Sequence, residues 1–463
     1  MIKKFIRRVL RLGSTPGPAA PVVIPVKKHG IRREALSNAA RRTCDGLQQA
    51  GFQAYVVGGA VRDLLLGLKP KDYDVATDAH PEQVHRVFRR SRLIGRRFKL
   101  VHVMFGDETV EVSTFRAPGG SDHAVDEHGR VLRDNVFGTR EEDAERRDFT
   151  LNALYYDPHT ETVLDFQNGL ADMRKKLVRI IGNPNERYRE DPVRMLRAVR
   201  FAAKTGFAIE ARTKAPIRAL AELIGNVPPA RLFDEMLKLL LSGHAREAIQ
   251  QLRREGLHHG LLPMLDVILE QPMGERFVSL ALEQTDLRVS QEKSVSPAFL
   301  FATLLWHEVL SGAKTLQDKG ERPMAALNIA MDEVLARQTD KIAIPRRYTA
   351  VMKEIWACQP RYEQRSGRRP FALLASERFR AGYDFLVLRA ASGEVDAELA
   401  QWWERFQEAD EDGRAAMLVA PTTGERKPRR RRRRKSGAAA AEGSSGANED
   451  AGGVAGGVAG GTQ

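Results

Sequence analysis

Asp72 and Asp74 flank Tyr73, and on an extended segment side chains at i and i+2 project to one face. Two carboxylates on one face bind Mg²⁺ through oxygen, and that ion in turn grips nucleotide phosphates. Just upstream, Tyr55-Val-Val-Gly-Gly-Ala-Val-Arg-Asp63 supplies the complement. Gly58 and Gly59 let the backbone turn sharply between an apolar run, Ala54 to Val57, and an amphipathic helical run from Ala60 to Leu66. Free N–H groups at the start of that helix face whatever sits over the turn, which suits a phosphate. Taken singly, a Gly-Gly or an Asp-x-Asp is ordinarily a turn or a solvated loop. Strand, Gly-Gly, a helix carrying Arg62 and Asp63, turn and Asp-x-Asp in that order imply an enzyme that transfers nucleotides.

Two-metal transfer needs two or three carboxylates around the α-phosphate. Glu111, which alternates with Val110 and Val112 on a strand expected beside that of the aspartates, is the candidate third; an exposed strand residue is the plainer reading. Arg146-Arg-Asp148 places two guanidinium forks, suited to phosphate oxygens, ahead of the apolar run that ends at Leu154. Asp148 can orient a ribose, help organise metal, or cap a helix. Glu190-Asp-Pro-Val-Arg194 opens a helix with Asp191 as cap and Pro192 in the first turn. On its wheel Arg194, Arg197, Arg200 and Lys204 share one side, while Met195, Leu196, Val199 and Ala203 share the other. Phe201 lands among the arginines, where it can stack on a base, and Arg194 with Asp191 can read a base edge. A basic stripe is ordinarily a solvated face; beside a nucleotide site the balance moves. Arg346, Arg347 and Tyr348, then Arg368 and Arg369 near Tyr362 and Phe371, suit single-stranded RNA, or equally a solvated connection between helices.

Around these groups the chain of 463 residues divides by pattern. Lys99 to Phe105 and Thr109 to Phe115 read as a hairpin turning at Gly106-Asp107. Residues 119–135 are polar and aperiodic, as in a mobile loop. Beyond residue 185 the pattern is helical, with breaks at Pro228-Pro229, Pro263, Pro297, Pro345 and Pro360. His102 reads as a packed or hydrogen-bonded side chain rather than a ligand, and Trp402, Trp403 and the run Phe299 to Trp306 read as core. Cys44 and Cys358 match no metal spacing and fit a reducing cytosol. Met1 to Leu12 has the pattern of a basic amphipathic helix, able to touch RNA or an anionic membrane surface; residues 13–25 read as linker, with order beginning near Ile31. No apolar stretch is long enough for a membrane span.

The net charge of +14 lies at the ends. Residues 1–42 hold eleven Lys or Arg against Glu34 alone, and residues 425–463 hold nine against four acids, so the middle is near neutral. Basic ends on a neutral body suit capture of a polyanion. Arg429, Arg430, Arg431, Arg432, Arg433, Arg434 and Lys435 form the densest run, followed by an Ala/Gly-rich end that cannot bury enough to fold.

In order, Val57-Gly-Gly-Ala-Val-Arg-Asp63, Asp72-Tyr-Asp74, Arg146-Arg-Asp148 and Glu190-Asp-Pro-Val-Arg194 resemble the successive motifs of the class II polymerase-β-like nucleotidyltransferases, which hold tRNA CCA-adding enzymes and bacterial poly(A) polymerases. Leu93-Ile-Gly-Arg-Arg-Phe-Lys-Leu-Val-His-Val103, Pro228 to Phe233, Pro297 to Phe301 and Ile342 to Arg346 look like the poly(A) polymerase branch. The resemblance implies an α+β fold: a small mixed-sheet head at 31–182 carrying the carboxylates, a helical neck at 183–260 choosing the base, and a helical RNA-binding body at 261–415. A basic segment at 1–30 and a disordered tail at 416–463 flank them. It further implies a cytoplasmic enzyme adding AMP from ATP to single-stranded RNA 3′ ends, with Mg²⁺, or Mn²⁺ in its place, on Asp72, Asp74 and Glu111. Gly58, Gly59, Arg62, Asp63 and Arg147 would receive the triphosphate; Asp191, Arg194, Arg197 and Arg200 would line the base. RNA-decay proteins are expected partners of the tail. A CCA-adding enzyme, which would use CTP and prefer tRNA, and a catalytically silent RNA-binding protein are the alternatives.

Overall fold

The computed structural model describes residues 20–95, 99–117, 136–258 and 272–420, except the side chains of Pro272 and Met273. In the first part of the chain, short runs of β-branched and aromatic residues form β1 Val22–Pro25, β2 Ala54–Val57, β3 Asp74–Thr77, β4 Ser91–Ile94, β5 Leu100–Phe105, β6 Glu108–Thr114, β7 Leu154–Asp157 and β8 Thr162–Asp165. They make one mixed sheet in the order β1-β8-β7-β2-β3-β6-β5-β4. Among the described strands of this sheet only β3 and β6 run parallel, with Asp74 directly opposite Glu111. β5 and β6 form the expected hairpin.

Helices α1 Asn38–Gln49, α2 Gly59–Leu65, α3 Pro81–Val87 and α4 Arg140–Arg146 accompany the sheet. Ser37 caps α1 by accepting from Ala40 N at 3.1 Å, and α1 buries Ala39, Ala40, Cys44 and Leu47 at helical spacing. Those residues share a core with Val56, Val75, Val101, Val103, Val110 and Val112 on one face of the sheet. The other face carries Tyr55, Val57, Ala76, Phe115 and Tyr155 against Ala144 of α4. Because faces alternate along β3, Asp74 stands with Ala76 on the α4 side.

Beyond the sheet come α5 Pro184–Glu190, α6 Val193–Thr205, α7 Pro229–Leu240, α8 Ala245–Arg254, α9 Pro272–Ser290, α10 Pro297–Asp318, α11 Pro323–Lys341, α12 Arg346–Tyr362, α13 Arg369–Leu374, α14 Phe379–Ser392 and α15 Ala397–Glu408. The core of the sheet continues into α6, α7 and α10 to α12, and a second cluster around Tyr362, Trp402, Trp403 and Phe406 closes the C-terminal helices. The described residues up to Val419 cluster as one unit. Cys44 and Cys358 are free and buried. Among the described residues no helix is long and apolar enough to cross a membrane.

Two expectations need correction. Order begins before Ile31: Val22–Pro25 pairs antiparallel with β8, with Ile24 buried on the sheet. Its β-branched residues fit an open edge, and Pro25 at the end of an edge strand forfeits no ladder bond. Pro360 does not break a helix but lies within α12, in the last turn before Tyr362, whose buried ring and hydroxyl bond to Phe379 O (2.7 Å) hold that turn. Met1 to Leu12, the loop at 119–135, Pro263 and Arg429 to Lys435 lie outside the described residues.

Candidate active site

A cleft of about 790 Å³ lies where the β2–α2 turn, the start of β3, the segment after α4 and helices α6 and α7 meet. It is lined by Gly58, Gly59, Arg62, Asp63, Asp72, Asp74, Arg147, Asp148, Asp191, Arg194, Arg197 and Arg200, every expected catalytic or nucleotide-binding residue except Glu111. Gly58 makes the turn at φ 71°, ψ −129°, a backbone that side-chain-bearing residues avoid. A Cβ there would lie 3.5 Å from Arg147 Nη1 and 3.8 Å from Asp74 Oδ2. The bare backbone thus comes up against a guanidinium and a carboxylate, as phosphate transfer requires.

Asp72 and Asp74 are both exposed, with Tyr73 buried between them, as the i, i+2 spacing predicts. The Asp74 carboxyl reaches solvent but is hemmed in by the cleft walls; that loss of water, first, and then the negative charges of Glu111 and Asp72 push it up to about 6, with Arg147 pulling the other way. Glu111 is level with Asp74 in the sheet but half-exposed, and it meets His102 Nε2 at 3.3 Å. Among the described residues no three such side chains converge into a ready-made metal cage. Mg²⁺ needs none: it retains waters and is held by one or two carboxylates plus substrate phosphates. The acidic pair, its repulsion only partly offset by Arg147, fits such an ion.

Arg147 is fixed from behind. Its Nε donates to Tyr155 OH (2.9 Å) and Asp143 Oδ2 (3.2 Å), and Nη2 donates to Asp143 Oδ2 (3.1 Å). Tyr155 in turn donates to Asp143 Oδ2 at 2.6 Å. Burial opposes the Arg147 charge, but Tyr155 and Asp143 outweigh it and hold its pKa above the ordinary value. Asp148 accepts from Phe149 N (2.8 Å), Asn152 Nδ2 (3.1 Å) and Arg197 Nε (2.7 Å). Burial alone would raise its pKa; Arg197 and those bonds overcome it and bring it down to about 2. Arg62, nearly fully buried, spends its donors on Asp63 (2.7 and 2.8 Å) and on Asn152 Oδ1 (2.8 Å).

The wheel of α6 holds: Met195, Leu196, Val199 and Ala203 are buried, and Arg194, Arg197, Arg200 and Lys204 line the cleft. Phe201 is not a free stacking platform. It is 4% exposed, meets Phe149 edge-on at 5.6 Å, and has the guanidiniums of Arg200, Arg62 and Arg197 at 4.4, 5.1 and 5.5 Å from its ring; the arginines take its π-face themselves. Asp191 does not cap α6. Both of its oxygens go to Arg231 of α7 (2.9 and 2.6 Å), a bidentate pair stronger than a cap. Arg194 turns instead to Glu190 Oε2 (2.7 Å) and Arg187 O (2.9 Å) through Nη1. Asp148 caps no α-helix: a 3-10 turn, Thr150–Asn152, follows it, with Phe149 at the cap position.

Sequence reasoning passed over Asn152, Arg231, Glu235, Lys238 and Lys71. Asn152 and Glu235 were legible, each a polar residue within an apolar run that nevertheless buries; Arg231, one turn before Glu235 on the same helix face, follows from it. Of the RNA candidates, Arg346, Arg347, Arg368 and Arg369 are exposed. Tyr348 packs 6.0 Å from Phe233 of α7, which sets Arg346 and Arg347 beside the helix that closes the cleft.

A mixed sheet presenting an aspartate pair beside a Gly-Gly turn, with a basic helix across the cleft, defines a nucleotidyltransferase. Three family descriptions match: the poly(A) polymerase head domain at residues 54–179, the probable RNA and SrmB-binding site of polymerase A at 206–269, and the polymerase A arginine-rich C-terminus at 319–436. Poly(A) polymerase I of Salmonella typhi is 44% identical over 435 residues, 90% of this chain and 93% of that protein. A CCA-adding enzyme of Lactobacillus helveticus is 38% identical over 205 residues, covering only 44% of this chain and 50% of its own. Among solved structures, the Bacillus stearothermophilus CCA-adding enzyme in complex with CTP aligns with a TM-score of 0.55 at 27% identity, over 82% of each chain. The chain belongs to the poly(A) polymerase family, and its activity is template-independent addition of AMP to RNA 3′ ends.

Proposed function

We propose that AMP transfer takes place in this cleft, with Mg²⁺ on Asp72 and Asp74 and Glu111 as an outer carboxylate, Mn²⁺ substituting. When bound, the ion would supply charge to activate the RNA 3′-hydroxyl and to stabilise the departing pyrophosphate. The Gly58–Gly59 turn and Arg147 receive the ATP triphosphate. Arg62 acts from beneath, holding Asp63 and Asn152. Asp148, ionised at any working pH, faces the ribose and fixes Arg197. Asp191 is immobilised by Arg231, so base choice falls to Arg194, whose Nε and Nη2 make no hydrogen bond among the described residues. Adenine is then selected by the shape of a held pocket rather than by two free side chains. Arg346 and Arg347 flank the entry of the RNA, Arg368 and Arg369 touch it further out, and the run Arg429 to Lys435 gathers it; RNA-decay proteins are partners for that tail. Free, buried Cys44 and Cys358 support a reducing, cytoplasmic setting.

The convergence of the aspartate pair, Gly58 and Arg147 in one cleft carries this reading. Its test offers the purified chain an unstructured RNA or a tRNA with one nucleoside triphosphate at a time, in Mg²⁺, Mn²⁺ or chelator. A long ladder with ATP alone, lost on chelation, is expected. Addition that needs CTP, stops after a few residues and prefers tRNA would overturn the proposed base selection.

A further inference from the structure

On the face of the sheet away from Asp74, the start of α1, the segment following α3 and the β5–β6 hairpin enclose a second cavity of about 550 Å³. Arg42, Arg89 and Arg90 line it, all exposed, together with the half-exposed rings of Phe88 and Phe105. Among the described residues Glu108 is its only lining carboxylate. The Arg42 guanidinium lies 4.8 Å over the Phe105 ring, and Phe88 meets Phe105 edge-on at 6.2 Å. Among the described residues none of the three guanidiniums is ion-paired. A solvated surface gains nothing by gathering three unpaired like charges around two accessible aromatic rings, whereas cations along a groove with aromatic faces to stack on are the requirements of a single-stranded nucleic acid.

We infer that this cavity is a second contact for the RNA substrate, holding nucleotides upstream of the 3′ end on the side of the sheet away from the chemistry. It lacks what a nucleoside triphosphate needs: it has no carboxylate pair for an ion, and its lining glycine, Gly106, turns the β5–β6 hairpin and opens no helix whose free N–H groups could face a phosphate. A polymer threaded into the cleft reaches it only when long enough to pass the edge of the sheet. The inference depends on RNA being the substrate and not on the residue roles assigned in the cleft.

The test uses the full chain carrying R89E and R90E, both at exposed positions, with unstructured RNAs of about 8 and about 40 nucleotides. The Kd for the long RNA should rise about tenfold and its log–log salt slope should fall by about 1.4, two phosphate contacts on a single strand. The Kd for the short RNA, KM for ATP and extension of the short RNA should not move. In the unmutated chain, photo-crosslinking with 4-thiouridine in the long RNA should label the peptide holding Phe88 or that holding Phe105, and the short RNA should label neither. Unchanged affinity for the long RNA, equal weakening of both RNAs, or absence of those crosslinks each overturns the inference. Failure of the cleft assignment would instead appear as lost extension of both RNAs with affinities intact.

Discussion

Glu394 in the helical body and Asp74 in the cleft are both carboxylates set among charged neighbours, and their surroundings treat them differently. Glu394 accepts from Trp306 Nε1 (3.0 and 3.2 Å) and from Arg389 Nε (2.7 Å). Arg389 Nη1 donates on to Gln359 Oε1 (3.2 Å), and Gln359 Nε2 to Ile355 O and Gly382 O (both 3.1 Å). His307 Nε2 faces Glu394 Oε2 at 3.5 Å, and with its Nδ1 excepted that network is closed among the described residues. In the cleft, Asp74 faces Glu111 and Asp72, which push its pKa up together with burial. Arg200 Nε and Glu235 Oε2, 3.6 Å apart, are buried without a hydrogen bond, and burial brings Arg200 down to about 10. A closed network serves the fold. One left crowded and incomplete is tolerated where a ligand finishes it.

The sharpest way to break this contrast is Asp74→Asn. Transfer should fall by at least about a thousandfold, RNA affinity should hold, and the melting temperature in the absence of metal should stay level or rise because like-charge crowding is relieved. A clear drop in Tm would put Asp74 in the same structural class as Glu394. The counterpart is Arg389→Ala, which strands a buried carboxylate and should cost about 3–5 kcal/mol in urea unfolding. Below the new transition its extension rate should match the unmutated enzyme; a lost rate would mean that the body network serves catalysis.

Much of the cleft was legible because local rules carry it. Gly58 is read from a turn, Asp72 and Asp74 from strand alternation, and the basic side of α6 from a helical wheel, each within a few residues. What stayed hidden is what long-range packing decides. The Asp191–Arg231 pair spans 40 residues, and no periodicity reports that a cap residue will be claimed by another helix. Phe201 was placed correctly on the wheel, but its use depended on Arg62 from α2 arriving over its ring. The edge strand β1 was missed because Pro and Gly nearby signal a linker, while its partner β8 lies some 140 residues on.

Between those extremes stands Asp148, buried like Glu394 yet part of the cleft. Its pKa is held at about 2 against an ordinary 3.8, so folding favours the ionised form. The stability it contributes is whole above about pH 4 and is lost as pH falls through 2, about 2 kcal/mol in all. Arg197→Gln removes the main compensating charge, so the acid limb of unfolding should move to higher pH. An unmoved limb would mean that Arg197 does not hold Asp148, and the cleft would lose one of its well-compensated acids.

Tyr155→Phe makes the smallest change and tests the boundary between the two kinds of network. The hydroxyl donates to Asp143 and accepts from Arg147 Nε, so its loss removes one of the acceptors that fix Arg147 while Asp143 keeps the charge paired. Stability should fall by about 1 kcal/mol. If Arg147 receives the triphosphate, a guanidinium free to swing should raise KM for ATP about threefold, a cost near 0.7 kcal/mol, with kcat little changed and RNA affinity untouched. Should Tm fall while KM for ATP stays put, the Asp143–Tyr155–Arg147 group is a closed structural network like that of Glu394, and the triphosphate is held by the Gly58 turn without it.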